Sequence, residues 1–349
     1  MDDRMHPDAS DYEARAWLAM LEQEHARRDS LIGRAGDAVA AVAKRADVQI
    51  RKFPPAERAL QIGDETLVKA LEGGFRAVFL PAVRSVSLER RVAKLTKRHP
   101  EVSSDSLFST IDLKDVDRGR PKLTIPLVGV LESTVASLTI TGATVSTSVS
   151  GGTTAGVALV AVASDAVASM ALLGRAVAEV AVHYGYDPRE PEEELFLMGV
   201  LSYSTAGGAA SKTTALAGLS RLSQQMMRHA AWDTLGREPL VKVIQRIFQS
   251  LGLRLTHQRL ANVVPIAGGV LSAGLSFQML GSAIDDATRI YRARYLGEKY
   301  GLIWDQWLQA SIPSDELDPD AEAAVSEFVD ALDELDTYSG NDAAEEKDE

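Results

Sequence analysis

One stretch constrains this fold more than any other, Ser164 to Tyr203, written SDAVASMALLGRAVAEVAVHYGYDPREPEEELFLMGVLSY. It predicts a long amphipathic helix, a sharp aromatic turn at Tyr184-Gly185-Tyr186-Asp187-Pro188, and a second helix whose first turn is loaded with acid. Helical spacing puts Val162, Ala166, Met170, Leu173, Val177, Val180 and Tyr184 on one face, and Asp165, Leu172, Arg175, Glu179 and His183 on the other. Gly185 has no Cβ to clash at positive φ, so it is the predicted left-handed residue that ends the first helix. Pro191 is predicted to open the second, with Glu190 at the cap and Glu192, Glu193 and Glu194 where the helix dipole favours carboxylates. A start at Asp187-Pro188, with Glu190 closing a capping box, fits the same letters. The expected fold class is all-α: a single multi-helix body built around this central hairpin, with Gly/Ala-rich packed helices, N-terminal helices and an acidic C-terminal tail.

The stretch HYGYDPREPEEELFLMGVL resembles the YGYD-containing signature of the EcsC family, bacterial proteins named after a gene beside an ABC transporter operon. Two further segments carry the resemblance. One is the Asp165-containing run ahead of the signature. The other is LTHQRLANVVPIAGGVLSAGLSFQML followed by DDATRIYRARYL, similar to a Pro-x-x-Gly turn opening a small-residue helix and then an Ala-x-x-x-Tyr-Arg helix. The resemblance spans roughly Ile125 to Gly301. This chain has Ser276 near where the family often carries Asn, which leaves no amide there to assign a role. The resemblance implies an all-α intracellular protein without an established activity, and its namesake implies a membrane transporter as a partner.

At 349 residues and 46% hydrophobic, the chain can bury one large core or two modest ones. No repeat or linker divides it, which favours one body. The expected boundaries are an N-terminal helical extension over 1–53, a helical domain over 54–313 and an acidic tail over 314–349. There is no cysteine, so disulfides, thiolate metal sites and a cysteine nucleophile are excluded. The opening residues are acidic and polar rather than a signal or transit peptide, so the expected location is cytoplasmic, with a peripheral position at the inner membrane face as an extension of that reading. The net charge of −12 is localised: Ser314 to Glu349 holds 15 carboxylates against one lysine, and the rest of the chain is close to neutral.

In order along the chain, helical patterning over Ser10 to about Arg51, with Trp17, Leu18 and Leu21, ends at Pro54-Pro55. A helix from Ala56 to Leu80 is predicted to stop at Pro81. In SVSLERRVAKLTKRH, Leu88, Val92 and Leu95 form a narrow apolar stripe among Arg84, Arg90, Arg91, Lys94, Lys97 and Arg98. A solvated surface helix is the simplest account, while an anionic membrane surface or a nucleic-acid backbone suits the same face. Glu101 to Pro121 reads as a polar loop. Ser133 to Ser164 holds no charge, and Val263 to Ile284 is a second uncharged run; both read as tightly packed central helices, since Asp165 interrupts the span nearest to membrane length. Helices are expected over Lys212 to Trp232 and Glu238 to Leu251, and Thr256 is expected to cap the next. In the tail, Val325, Phe328, Val329, Leu332 and Leu335 keep helical spacing. The helix from about Pro319 to Asp336 is therefore expected to dock this stripe on the body, with its carboxylates near the basic residues of Arg84 to Arg98.

The familiar catalytic spellings are missing, and AGGAASKT, Ala206 to Thr213, lacks both the fixed glycines and the preceding strand of a phosphate loop. The one concentrated polar set is Asp165, Arg175, Glu179, His183 and Asp187. Carboxylates beside a histidine can hold a divalent metal or act as an acid/base pair, which gives a hydrolase reading on Asp165, Glu179 and His183. An Arg175–Glu179 ion pair and an Asp187 turn cap account for the same residues, and structural use is preferred. The leading functional expectation is a non-enzymatic binding module for an apolar or lipid-like ligand or the inner membrane surface. Its expected contacts are Asp165, Arg175, Tyr184, Gly185, Tyr186, Asp187, Pro188, Pro265 and Gly268. No cofactor, metal or nucleic-acid partner is expected.

Overall fold

The hairpin forms as its sequence dictates. In the computed structural model, which describes residues 6–23, 64–119, 154–206, 209–227, 237–262, 271–302, 327–330 and 332, the elements are helices and no strand occurs among the described residues. In chain order they are α1 (11–23), α2 (Asp64–Gly74), a π-helical turn (Phe75–Phe79), α3 (Leu80–Arg84), α4 (Leu88–Thr96), α5 (Leu107–Thr110) and α6 (Leu113–Asp117). The hairpin follows as α7 (Thr154–His183) and α8 (Pro191–Thr205), then α9 (Ala209–Met227), α10 (Arg237–Asn262) and α11 (Leu271–Tyr300). Residues 327–330 are also helical.

α7 is the axis of the body. It packs against α2, α3, α4, α8, α10, α11 and the π-helical turn. Its predicted apolar face is buried from Ala166 through Met170, Leu173, Val177 and Val180 to Tyr184. Among the described residues, Ala163–His183 is the one helical stretch long and apolar enough to cross a membrane, and 72% of its most apolar window is buried inside the protein. The first uncharged run up to residue 153, and the second up to residue 270, lie outside the described residues, as do residues 24–63.

Four expectations change for local reasons. The helix before Pro81 does not stop there. The chain widens into a π-helical turn just upstream, Leu80 donates to the Phe75 carbonyl, and Pro81 enters the first turn of α3, where its missing N–H costs little. That turn also aims Phe75 and Phe79 at Phe248 of α10, with ring centres 5.2 and 4.8 Å from it. The polar segment after Glu101 folds into α5 and α6, because Leu107, Ile111, Leu113 and Val116 supply enough buried apolar surface. Thr256 lies inside α10 rather than at a cap, and its hydroxyl donates to the Gly252 carbonyl at 2.7 Å. The two helices expected around Leu251 and Thr256 are one.

The tail stripe does dock. Phe328 and Leu332 are fully buried and belong to the same core as α7 and α8. Of the described tail acids, Glu327 lies 3.9 Å from Arg246 of α10 rather than beside the basic segment Arg84 to Arg98.

Candidate functional site

α7 ends in a Schellman turn. Tyr186 N–H donates to the Ala181 carbonyl at 3.0 Å and Gly185 N–H to the Val182 carbonyl at 3.2 Å, with Gly185 at φ 100°. This geometry sends the two tyrosines of the turn to different places on α11. Tyr184 is fully buried and donates to Asp117 of α6 at 2.8 Å. The same carboxylate accepts from Tyr12 of α1 at 2.8 Å and from Arg292 of α11 at 2.6 Å. Tyr186 donates to Glu298 at 3.0 Å, and its ring lies under the Arg294 guanidinium, 4.0 Å away. On the other side of Arg294 is the Phe196 ring at 4.4 Å.

Arg294 is the most enclosed cation of this network. It bonds Glu193 through two parallel contacts of 2.8 and 2.5 Å and Glu298 through a third of 2.7 Å. Burial pushes the Glu193 carboxyl upward, and the neighbouring Arg294 charge opposes that shift. Glu194, the next residue, is buried and paired with Arg84 of α3. Burial also raises the phenols of Tyr184, Tyr186 and Tyr291, which remain protonated; the first two donate as described, while the Tyr291 hydroxyl is buried without a hydrogen-bond partner. This cluster clamps α1, α6, α8 and α11 onto the turn.

The polar set expected from the sequence does not converge. Asp165 is exposed and lies 18 residues before His183 on one helix, about 27 Å along its axis at 1.5 Å per residue. Arg175 and Glu179 form an ion pair of 3.4 Å, and burial raises the Glu179 carboxyl against that pairing. His183 is buried against the edge of Tyr184, and its carbonyl accepts from Arg91. Asp187 accepts from both the backbone and the guanidinium of Arg189. Among the described residues no group of three His, Asp or Glu side chains is placed to hold a metal ion. Pro188 is buried behind the turn, while Pro265 and Gly268 lie outside the described residues.

α4 is where unused chemistry accumulates. Leu95 and Arg91 face inward; Arg91 donates to the carbonyls of His183 and Val116 at 3.3 and 2.7 Å, capping the negative end of α7. Burial lowers this guanidinium to about 10. Arg90, Lys94, Lys97 and Arg98 are exposed. Beside this cationic row an open groove of 570 Å³ runs between α4, Ser104 and the signature turn, with Leu88, Val92 and Ala93 along it and Asp187 and Arg189 closing one end. Arg189 is tied there by Asp187 and by Glu89, whose carboxyl is held down to about 2 by Ser87 and Arg189. The sequence named the cations and Asp187, but not the groove, because Ser104 and the turn reach α4 only through the fold.

At the opposite end of the network Glu13 fastens α1. It accepts from Lys299 at 2.8 Å, Tyr300 at 2.7 Å and the backbone of Leu113 and Ser10, each at 3.1 Å. Burial alone would raise this carboxyl, but the four bonds together hold it below the usual carboxylate range. A depressed folded-state value stabilises the fold above the unfolded value of about 4.3, and that contribution is lost as pH falls through the folded value. Thermal midpoints measured from pH 7 down to pH 3 are therefore expected to fall less steeply for Glu13→Gln than for the parent. Parallel curves would show that the Glu13 bonds do not form in solution.

Residues 125–296 match the EcsC protein family. No curated protein and no solved structure matches the chain. The matched range holds the α7–α8 hairpin, Tyr184, Tyr186, Glu193, Arg292 and Arg294, while their partners Tyr12, Asp117 and Glu298 come from outside it. Through the signature turn and the Tyr-Arg helix that it grips, this chain belongs to the EcsC protein family.

Proposed function

We propose that this protein is a non-enzymatic module that docks on an anionic membrane surface through α4. The observation that carries this reading is a contrast among the cations of one short segment. Arg84, itself exposed, is paired with the buried Glu194, and Arg91 is buried and donates to two carbonyls. Arg90 and Lys94 stand outside on α4, and Lys97 and Arg98 in the turn that ends it, with an apolar groove on the flank of the helix. The near-neutral body lacks the general excess of positive charge that would make such a row unremarkable, since the whole chain is at −12.

Each Lys or Arg near an anionic leaflet contributes about 1 kcal/mol, so reversing two of them removes roughly 4 kcal/mol, on the order of a thousandfold in affinity. Sedimentation with phosphatidylglycerol-containing vesicles is expected to capture the full chain, less so as salt rises, and to fail for Arg90→Glu/Lys94→Glu. Equal binding to phosphatidylcholine vesicles, or full binding by the double variant, contradicts the reading.

A further inference from the structure

We propose that the groove between α4, Ser104 and the Asp187–Arg189 turn binds one alkyl chain of an anionic amphiphile, its phosphate headgroup meeting Lys97 at the groove's cationic edge. The inference rests on the membrane reading above and gives it a specific ligand site. Its volume of 570 Å³ falls within the range of small-molecule sites, roughly 300–1,000 Å³.

Chemistry is distributed along the groove in the order an amphiphile requires. Leu88, Val92 and Ala93 present hydrocarbon along α4. Neither Leu88 nor Val92 is withdrawn into the core: both are half-buried, whereas Leu95 one turn on is fully buried. At the cationic edge stands Lys97, exposed, and beside it the Thr96 hydroxyl has no hydrogen-bond partner. The charges at the other end cancel locally, because Arg189 is held by both Asp187 and Glu89. An anion therefore finds its complement at Lys97, and the chain finds its complement between Lys97 and the turn. Helical periodicity makes Lys97 the one residue shared by the groove and by the outward row of Arg90 and Lys94, so a lipid lying against that row has its headgroup beside the groove. An acidic amphipathic helix is the other class of occupant that such a groove could suit.

Dodecyl phosphate, kept below micelle-forming concentrations, separates these possibilities in titrations of the full chain. The expected result is binding of one molecule per chain, with dodecyl maltoside bound at least about tenfold more weakly because it lacks the charge. Ala93→Trp fills the groove from an exposed position on α4, and Ser104→Trp fills it from the opposite wall. Each is expected to weaken binding about tenfold or more, with thermal midpoint and circular dichroism unchanged. Lys97→Glu is expected to do the same, while Arg90→Glu/Lys94→Glu keeps it within about twofold. Unchanged affinity in both tryptophan variants, or equal binding of the maltoside, overturns the proposal. Vesicle capture without dodecyl phosphate binding removes the groove site and leaves the membrane reading intact; dodecyl phosphate binding without vesicle capture does the reverse. Saturation by a peptide of residues 319–336, with no dodecyl phosphate bound, assigns the groove to a helix and overturns the proposal as well.

Discussion

Glu193→Ala is expected to destabilise the fold by about 3 kcal/mol, read as a shift of the urea midpoint with an unchanged slope. Removing one partner of a buried ion pair leaves the other charge desolvated and uncompensated, which generally costs about 3–5 kcal/mol. The lower end applies because Arg294 keeps one bond to Glu298 and stays between the rings of Tyr186 and Phe196. Glu298 is the most exposed member of the cluster and screens only part of the charge. The double variant Glu193→Leu/Arg294→Leu is expected to recover most of the loss, since an apolar pair of similar volume in place of a buried ion pair is often neutral. A single-variant cost below about 1 kcal/mol is the value of a solvated surface pair and would contradict the enclosure of this one.

Glu193→Ala also has a local consequence. Tyr186 is held to α11 by Glu298 and by the Arg294 face, and Asp187, next in the chain, closes the groove beside α4. Loosening the clamp therefore loosens the wall of the proposed ligand site. Hydrogen exchange is expected to rise first in the turn 184–190 and only later in α7, whose apolar contacts do not depend on the pair.

The hairpin was legible in the sequence because its signals are local. Gly185 needs positive φ, Pro191 fixes the first helical residue, and the apolar face of α7 repeats at helical spacing over five turns. The clamp was not legible, since its partners are remote: Glu193 meets Arg294, 101 residues away, and Arg292 meets Asp117 across 175. Dipole complementarity accounts for Glu192 to Glu194 without any cation partner. One signal pointed further. The run LFLMGVL after those acids is apolar on every side, and a helix of that kind is buried all round, carrying its first-turn acids inward. The candidate set Asp165, Arg175, Glu179, His183 and Asp187 failed to converge for the converse reason: nearness in sequence along a straight helix separates side chains instead of gathering them. Residues 133–153 of the first uncharged run and 263–270 of the second, Pro265 and Gly268 among them, lie outside the described residues.

Gly199→Ala is expected to release the tail helix even though it improves α8. Alanine in a helix interior is favoured over glycine by about 1 kcal/mol, so an unoccupied surface at this position would make the variant more stable. The seat is occupied. A Cβ built at Gly199 comes 2.5 Å from the Phe328 ring, and one at Gly218 on the neighbouring α9 comes 2.8 Å from it. Neither glycine has room to yield, because the Phe328 ring lies between the two helices where they pack together. Burying a phenylalanine is worth roughly 1.5–3 kcal/mol and deleting one from a core costs about 3–5 kcal/mol, either of which exceeds the propensity gain. Gly199→Ala and Phe328→Ala should therefore have the same signature: proteolytic cleavage between residues 303 and 326 accelerates, and exchange rises along α8 and α9 while α4 and its groove stay protected. The double variant should lose less than the sum of the two single variants, because with the ring removed the new methyl meets only the end of the Leu219 side chain, 2.8 Å from the built Cβ. If Gly199→Ala raises the thermal midpoint with tail cleavage unchanged, Phe328 does not occupy the notch in solution.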